Sequence, residues 1–408
     1  MSPDVSSNST THVRSSIMTK RELKIALVGC GQIADAHLQE IRKIPDVQLV
    51  AVCDRAEPLA RQAAGRFGVP DIFTNVNELL QSVHPDVLHI TTPPQTHRAV
   101  ALAAFEAGTH VYSEKPFSLD ADEATQILSA AQNARLKVCV GHDQLFDPIW
   151  VRCREMFRSG RLGDVVHVES IQGYDLSGPF GQVLAAESDH WVHRLPGGLF
   201  QNTISHALYR ITDFMLDETP QVMAAWRDVH GAGYPTDLRV MLWGKGVSAN
   251  LVFSTQARPI QRVARIFGTR QIIEVDMDAQ VIRCQPAFTL PGALTKLQVP
   301  ARQFMEAARN LRRNIWRFAR SDIHYFAGMK GIFERFYAAI RDEGEDPISP
   351  AEIVRVTAIM DAIFESCRDD TAENHPVVDG TQDNSVLPSP ADRSSTQPVG
   401  AARDGGRG

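Results

Sequence analysis

Apolar residues in the first part of the chain form short runs that alternate with stretches of helical spacing. The apolar runs cover residues 25–28, 49–53, 87–90, 110–112 and 137–140. Helical spacing is found over residues 57–67, 76–82, 97–107 and 120–134. This alternation is typical of βαβ units, so residues 21–146 are predicted to form a parallel sheet covered by helices.

The pattern becomes strand-rich after a helix predicted over residues 148–159. The predicted strands are 165–172, 221–229, 238–243, 247–254, 262–267, 272–276 and 280–284. Consecutive strands with short turns predict an antiparallel sheet, here in a second domain over residues 147–368. A further helix near 351–366 is a candidate to pack back on the first domain.

Both ends of the chain differ in composition from the part between them. Residues 1–20 are rich in Ser and Thr and lack the apolar centre of a secretion signal, and residues 369–408 are dominated by Pro, Gly, Ser, Asp and Arg. A C-terminal segment of this composition buries too little apolar surface to offset the conformational entropy that the chain loses on folding. A disordered leader (1–20) and a disordered tail (369–408) are therefore predicted.

Composition favours an enzyme with two cores. The 408 residues are 43% hydrophobic and 22% charged, and single cores rarely grow beyond about 250–300 residues. The net charge of −6 gives no global attraction to nucleic acid. No run approaches the roughly eighteen apolar residues of a membrane-spanning helix. The six cysteines are scattered without a Cys-x-x-Cys pair, which fits reduced thiols in the cytoplasm, and no metal site is indicated.

The strongest chemical signal is the segment 23–34, an apolar run that leads into Gly-x-Gly-x-x-Ala. Gly29 permits a sharp strand-to-helix turn, Gly31 lets the backbone approach a pyrophosphate, and Ala34 lets the helix pack closely on the strand. Backbone N–H groups from Gln32 and Ile33 onward are expected to face the diphosphate along the helix dipole. The segment predicts a dinucleotide site.

An acidic residue follows the second apolar run, twenty residues beyond this turn. The carboxylate of Asp54 is suited to accept hydrogen bonds from an adenosine ribose, which favours NAD. Arg55 beside it is suited to hold a 2′-phosphate, so NADP stays an alternative.

Two loops follow later strands of the predicted parallel sheet. Thr91-Thr-Pro-Pro-Gln-Thr-His97 and Glu114-Lys-Pro116 supply the candidate cofactor contacts Thr92, Pro93, Pro94, His97, Glu114 and Lys115. Ligands bind at the carboxyl edge of parallel strands, so both loops are expected to line the cofactor crevice. In isolation, Lys115 would be more typical of a surface lysine paired with Glu114 than of a functional residue.

These motifs and a later Gly-Gly…His helix resemble, in order and spacing, the Gfo/Idh/MocA oxidoreductases over about residues 23–364. The resemblance implies an α/β protein with an N-terminal Rossmann domain, built on a doubly wound parallel sheet. It also implies a C-terminal α/β domain with an open, mainly antiparallel sheet. The implied activity is NAD(P)-dependent hydride transfer to or from a hydroxyl or ketone of a sugar, polyol or nucleotide-sugar.

The Gly-Gly…His segment places Asn202, His206 and Tyr209 at i, i+4 and i+7, and therefore on one helical face. In the family that the chain resembles, this helix commonly carries Asp, then His, and often a second Asp, so an amide and a phenol replace two acids here. Oxidation of an alcohol needs a base at its oxygen. His206 is the candidate acid/base, Lys115 polarises the oxygen and Asn202 holds the adjacent hydroxyl; Lys115 itself is the alternative base.

The candidate substrate contacts are His142, Asp143, Gln144, Trp191, Arg194, Asn202 and Tyr209. The similar family often places an Arg where Leu145 stands, so the three residues before Leu145 are either replacement contacts or a turn into the helix that Pro148 opens. Trp191 is suited to stack on a sugar ring and Arg194 to hold a carboxylate or phosphate. Alternatively, Trp191 only pins its loop to the domain.

Two other functions fit a chain of this kind. Some relatives in the similar family cleave glycosidic bonds through transient oxidation by NAD, and others bind sugars or nucleotides as non-catalytic regulators. Lys115 and His206 argue against a regulator, whereas the further groups that a glycosidase needs are not identifiable. The expected partners are a small carbohydrate substrate and other copies of this chain, as a homodimer or homotetramer.

A basic amphipathic helix is predicted over residues 302–320, which contain six arginines and one acid, Glu306. Its apolar stripe consists of Phe304, Ala308, Leu311, Ile315 and Phe318, with Trp316 beside it. Apolar stripes usually face protein, which favours packing on the open sheet or on a partner subunit. The alternative is peripheral contact with an anionic membrane.

Overall fold

The computed structural model describes residues 21–187, 189–229, 231–286, 290–320 and 326–373. The predicted leader lies outside these residues. Of the predicted tail, the described part is helical and ends at Glu373, and residues 374–408 lie outside the described residues.

The first sheet has six parallel strands in the order β3-β2-β1-β4-β5-β6. The strands are β1 (Leu23–Val28), β2 (Val47–Cys53), β3 (Asp71–Phe73), β4 (Val87–Ile90), β5 (His110–Ser113) and β6 (Val138–Val140). The helices between them are α1 (Ala34–Ile41), α2 (Glu57–Phe67), α3 (Val76–Val83), α4 (His97–Glu106) and α5 (Ala121–Ala134). The predicted doubly wound sheet is confirmed, and its strand order reverses between β1 and β4, where such folds bind ligands.

Local side-chain chemistry sets several helix boundaries in this layer. The carboxylate of Asp120 accepts the Glu123 N–H at 2.8 Å and starts α5, and the amide oxygen of Asn75 accepts the Asn77 N–H at 2.8 Å and starts α3. Strand β4 is buried along its whole length because helices cover both faces of the sheet.

The second sheet has seven strands in the order β13-β12-β11-β7-β10-β9-β8. The strands are β7 (Val165–Gly173), β8 (Gln221–Arg227), β9 (Asp237–Trp243), β10 (Ser248–Ser254), β11 (Arg262–Gly268), β12 (Gln271–Asp276) and β13 (Val281–Pro286). Only β7 and β10 pair in parallel, so the predicted open, mainly antiparallel sheet is confirmed.

Seven further helices follow β6 in the described part of the chain. They are α6 (Pro148–Arg158), α7 (Pro179–Ala186), α8 (Gly198–Thr203), α9 (Ser205–Thr212), α10 (Thr295–Ala319), α11 (Ala327–Ile340) and α12 (Pro350–Glu373). Helix α12 contacts both α5, which packs with the first sheet, and β8 of the second sheet. Asp361 accepts the Ala121 N–H of α5 at 2.8 Å, and Ser366 accepts the Ala224 N–H of β8 at 2.9 Å. Helix α12 therefore contacts α5 in the way the sequence suggested for residues 351–366.

No helix among the described residues combines the length and the apolar character needed to cross a membrane. All six cysteines are free thiols, and all except Cys284 are buried.

Candidate active site

The glycine turn between β1 and α1 leaves room for a ligand on one side and is tightly packed on the other. Gly29 has φ +96°, and a Cβ there would lie 2.7 Å from Thr91 C and from Thr92 N. A Cβ at Gly31 would meet nothing within 4 Å. Ala34 is completely buried against the sheet. The backbone at Gly31 is therefore open. The N–H groups in the first turn of α1, which follow Gln32 and Ile33, are suited to bind a diphosphate there.

Asp54 lies at the carboxyl end of β2 beside this turn. Its carboxylate accepts the Cys30 N–H at 2.7 Å and the Ala56 N–H at 2.8 Å. These bonds fix a half-buried anion next to the glycine turn. Arg55 is exposed and makes no hydrogen bond or ion pair with any residue that the structure describes.

We expect Asp54→Asn to narrow the predicted preference for NAD over NADP. The amide oxygen retains an acceptor for the Cys30 N–H but removes the charge that repels a 2′-phosphate, so NAD binding should weaken by about tenfold, as for the loss of a charged hydrogen bond. Fluorescence titration with both cofactors measures the change, and Asp71→Asn, an exposed site on β3, is the control. Tighter binding of NADP by the unsubstituted protein would contradict the assignment and implicate Arg55.

The loop after β4 is clamped by His97 at the start of α4. Thr91 donates to the Gly29 carbonyl at 2.6 Å, and Thr96 donates to Thr92 at 2.6 Å. The buried His97 ring lies 2.8 Å from the Thr92 carbonyl and 3.2 Å from the Phe117 carbonyl, and burial lowers its pKa. His97 thus holds the loop of Pro93 and Pro94 to the loop after β5, rather than facing the crevice itself.

Glu114 belongs to a buried hydrogen-bonded chain that the sequence did not indicate. Its carboxylate lies 2.8 Å from His37 Nε2, His37 Nδ1 lies 3.0 Å from His89 Nδ1, and His89 Nε2 lies 2.8 Å from the Tyr337 hydroxyl. Burial would raise the pKa of Glu114, but the hydrogen bond and charge of His37 and the charge of Lys115 lower it. The ionised Glu114 also accepts the Lys115 N–H at 3.1 Å, which anchors the backbone of that lysine.

Lys115, in the loop after β5, reaches helix α8. Its ammonium donates to the main-chain carbonyl of Asn202 at 3.1 Å, so it is not the surface partner of Glu114. Asn202 is the next-to-last residue of the short helix α8, and Ile204 separates α8 from α9, which carries His206. The predicted single helical face is therefore interrupted between Asn202 and His206.

His206 forms a cluster with Tyr209 and Asp143. His206 Nδ1 lies 2.6 Å from the Tyr209 hydroxyl, which lies 3.5 Å from Asp143 Oδ1, and His206 Nδ1 itself is 3.9 Å from Asp143 Oδ1. The Gln144 N–H donates to the same hydroxyl at 3.3 Å. A carboxylate therefore does accompany the histidine, but it comes from the loop after β6 rather than from the histidine's own helix.

The pKa values of two groups in this cluster are shifted in opposite directions. Burial lowers the pKa of His206 well below its ordinary value, and the charges of Lys115 and Arg210 lower it further. Burial raises the pKa of Asp143 to about 7, with a further increase from Glu114 and an opposing effect from Lys115. His206 is thus neutral, beside a carboxyl that titrates close to neutrality.

The remaining sequence candidates occupy different environments. Tyr209 is completely buried and His142 nearly so, with the two rings 4.6 Å apart, and burial lowers the pKa of His142 to about 3. His142 thus packs against the Tyr209 ring of the cluster, whereas Asp143 and Gln144 retain some exposure.

The loop before α8 reaches the loop after β4 of the first sheet. The Trp191 carbonyl accepts from the side chain of Gln95 at 3.0 Å, which brings this loop to the rim of the crevice. Trp191 itself is half buried. Arg194 is exposed and donates to the Asp189 carbonyl at 2.6 Å, within its own loop.

Within the described ranges, no group of three or more His, Cys, Asp or Glu side chains is placed to hold a metal ion. The candidate site consists of the glycine turn with Asp54, and of Lys115 with the His206 cluster.

Comparison with known proteins matches both halves of the chain to family models. Residues 23–142 match the model described as "Oxidoreductase family, NAD-binding Rossmann fold", and residues 150–274 match the "GFO/IDH/MocA C-terminal domain".

Curated relatives are similar at low identity. Inositol 2-dehydrogenase of Rhizobium meliloti is 27% identical over 203 residues, which cover 50% of this chain and 58% of that protein. D-apiose dehydrogenase of Paraburkholderia graminis is 22% identical over 380 residues, covering 89% of this chain and 92% of that protein. The chain spans about half the length of several curated relatives that it matches.

Among solved structures, the WlbA dehydrogenase of Bordetella pertussis, in complex with NADH and UDP-GlcNAcA, superposes with a TM-score of 0.72 at 20% identity. The superposition covers 86% of this chain and 97% of that one, which shows a common fold.

Proposed function

Because this chain belongs to the GFO/IDH/MocA oxidoreductase family, we propose that it transfers a hydride between NAD and a hydroxyl or ketone of a sugar, polyol or nucleotide-sugar. The observation that carries the proposal is the bond of Lys115 to the Asn202 carbonyl at 3.1 Å. It brings a cation from the carboxyl edge of the parallel sheet to the segment that carries His206. Such a site can both polarise an alcohol oxygen and accept its proton.

The residues of the first sheet fit a dinucleotide. The open backbone at Gly31 and the first turn of α1 suit the diphosphate, and the fixed carboxylate of Asp54 suits the adenosine ribose. When bound, NAD supplies the hydride acceptor. The preference for NAD over NADP is part of the proposal and rests on Asp54.

We assign the base to His206. With its proton on Nδ1, directed at the Tyr209 hydroxyl 2.6 Å away, Nε2 has a lone pair and no partner among the described residues. Nε2 then accepts the hydroxyl proton of the substrate, and the resulting imidazolium is stabilised through Tyr209 by the Asp143 carboxylate. Lys115 orients and polarises the substrate oxygen, and the Asn202 amide holds a neighbouring hydroxyl.

The substrate class is supported by the relatives and by the loop before α8. Relatives are named for inositol and apiose, and a structural neighbour was solved with a nucleotide-sugar acid. Trp191 at the rim provides an aromatic ring for a sugar face. Assembly as a homodimer or homotetramer remains a prediction, which light scattering tests.

A glycosidase that uses NAD only transiently remains the second candidate, because oxidation at the same centre would begin both reactions. It predicts release of a sugar without net reduction of NAD. The regulator is disfavoured by the Lys115 bridge and by the proton-accepting His206 cluster.

A screen of cofactor reduction across polyols, aldoses, uronic acids and nucleotide-sugars tests the proposed function. Net formation of reduced cofactor with one class supports a dehydrogenase and identifies its substrate. Sugar release without reduced cofactor would favour the glycosidase, and cofactor or sugar binding without any turnover would favour the regulator.

The rate of substrate oxidation should rise as the pH increases through about 7. Ionised Asp143 stabilises the His206 imidazolium, and burial raises the pKa of Asp143 to about 7, so protonation below that pH removes the stabilising charge. Because the two groups interact, the apparent pKa belongs to the pair.

The variant Asp143→Asn should show no such rise with pH. Its rate should be lower than that of the parent at every pH, by about tenfold or more, as expected when one electrostatic partner is removed. The pH dependence of kcat, recorded from about pH 5 to about pH 9, measures this loss. Asp164→Asn, which lies before β7, is the control. An unchanged profile in Asp143→Asn would remove Asp143 from the mechanism.

A further inference from the structure

Helix α10 is attached to the protein by its polar side. Asn310 donates to the Ile282 carbonyl at 2.8 Å, Glu306 accepts the Cys284 N–H at 3.1 Å, and Arg317 donates to the Gln280 side chain at 2.9 Å. Strand β13 is the edge of the second sheet, so its outward backbone groups have no neighbouring strand. Polar side chains of α10 satisfy these groups, which explains why this side of the helix turns inward.

The apolar side of α10 consequently faces outward. The expectation that the apolar stripe packs on the open sheet is wrong, because its large side chains are exposed. The exposed fractions range from 54% to 77% for Leu297, Phe304, Leu311, Ile315, Trp316 and Phe318. An apolar stripe this exposed is unusual for a protein surface in water and indicates an interaction site.

The exposed side of α10 is also strongly basic. Arg309, Arg312 and Arg320 are exposed, and Arg320 stacks on the Trp316 ring at 3.5 Å. The single acid of residues 295–320 is Glu306, which is engaged by the edge strand. The outward side of α10 therefore presents cations and aromatic rings without a carboxylate, although the whole chain has a net charge of −6.

We propose that α10 docks on an anionic membrane surface, with its axis along the interface. The apolar stripe enters the boundary between headgroups and acyl chains, while the flanking arginines reach the lipid phosphates. A second copy of the chain fits this face less well, because two-fold pairing of α10 with itself would bring two rows of arginines together. Docking and the proposed reaction use different residues, so either can fail without the other.

Flotation of the full chain with vesicles tests the proposal. We expect binding to an equal mixture of phosphatidylcholine and phosphatidylglycerol at low salt, with little binding to phosphatidylcholine alone and weakening as salt increases. Phe304→Ser with Phe318→Ser, and separately Arg309→Glu with Arg312→Glu, should each reduce binding by at least about tenfold, since both apolar insertion and charge contribute. Arg158→Glu with Arg227→Glu, exposed positions away from α10, applies the same change of charge and should leave binding nearly intact.

Fluorescence provides an independent readout. Emission should shift to shorter wavelength when anionic vesicles are added, and the shift should disappear in Trp316→Phe, which keeps an aromatic ring and the fold. Absence of vesicle binding at low salt, equal binding to both vesicle types, or unaltered binding by either α10 variant would overturn the proposal. A fall in the mass of the assembly in the serine variant, without vesicle binding by the parent, would identify a second copy as the occupant instead.

Discussion

Lys115→Met should lower kcat by about 10²–10³-fold, the loss typical of removing one preorganised group that stabilises charge at the reacting oxygen. Methionine keeps most of the length of the side chain but removes the ammonium that bonds the Asn202 carbonyl. The affinity for NAD should change little, because Gly31 and Asp54 lie on other loops. Initial rates and cofactor titration of the same preparation measure the two effects.

Lys330→Met is the matched control for Lys115. Lys330 lies on α11 and makes a surface ion pair with Glu334 at 3.5 Å, so its loss should leave turnover intact. Turnover of Lys115→Met within twofold of the parent would place Lys115 outside the reaction.

His206→Ala should lower turnover by about 10²–10⁴-fold, the range for loss of a positioned acid or base. Added imidazole should restore part of the rate, because the substitution leaves space where the ring stood. His167→Ala, on the exposed side of β7, removes a histidine that bonds Ser248 and should have no effect on turnover.

Tyr209→Phe separates the role of the hydroxyl from that of the ring. Phenylalanine keeps the packing against His142 but removes the link between His206 and Asp143. We expect a smaller loss than for His206→Ala, with an altered pH profile. Full activity in His206→Ala, or no response to imidazole, would assign the base to another group, with Lys115 the first alternative.

The fold was predictable because its periodic signals are strong and local. The predicted helix 57–67 and strand 87–90 coincide with α2 and β4. The three-residue edge strand β3 was missed because so short a segment has no measurable period. Helix α7 was not predicted, because the Gly, Ser and Pro residues at its start hide so short a helix.

The proposed cofactor side of the site rests on signals that are also local. The glycine turn and Asp54 are defined by spacing along one βαβ unit, and their backbone requirements are visible in the residue types. The His37 and His89 chain was not predictable, because it joins α1, β4, β5 and α11, whose packing no local pattern specifies.

Helical periodicity predicted only part of the candidate catalytic cluster. The i, i+3 spacing correctly brought Tyr209 to His206, but it did not reveal that Tyr209 is covered completely or that Asp143 completes the cluster. Periodicity likewise identified the two faces of α10 without saying which one the protein covers. In both cases the answer depends on backbone groups and side chains from distant parts of the chain.

Transfer of deuterium to the cofactor tests the central claim most directly. A substrate found by the screen is deuterated at the carbon to be oxidised and incubated with NAD, and the cofactor and product are analysed by mass spectrometry. We expect one deuterium on the reduced cofactor for each ketone formed, and much smaller amounts of both products with Lys115→Met and His206→Ala. Sugar release without reduced cofactor, or deuterium lost to solvent while the cofactor stays oxidised, would contradict it.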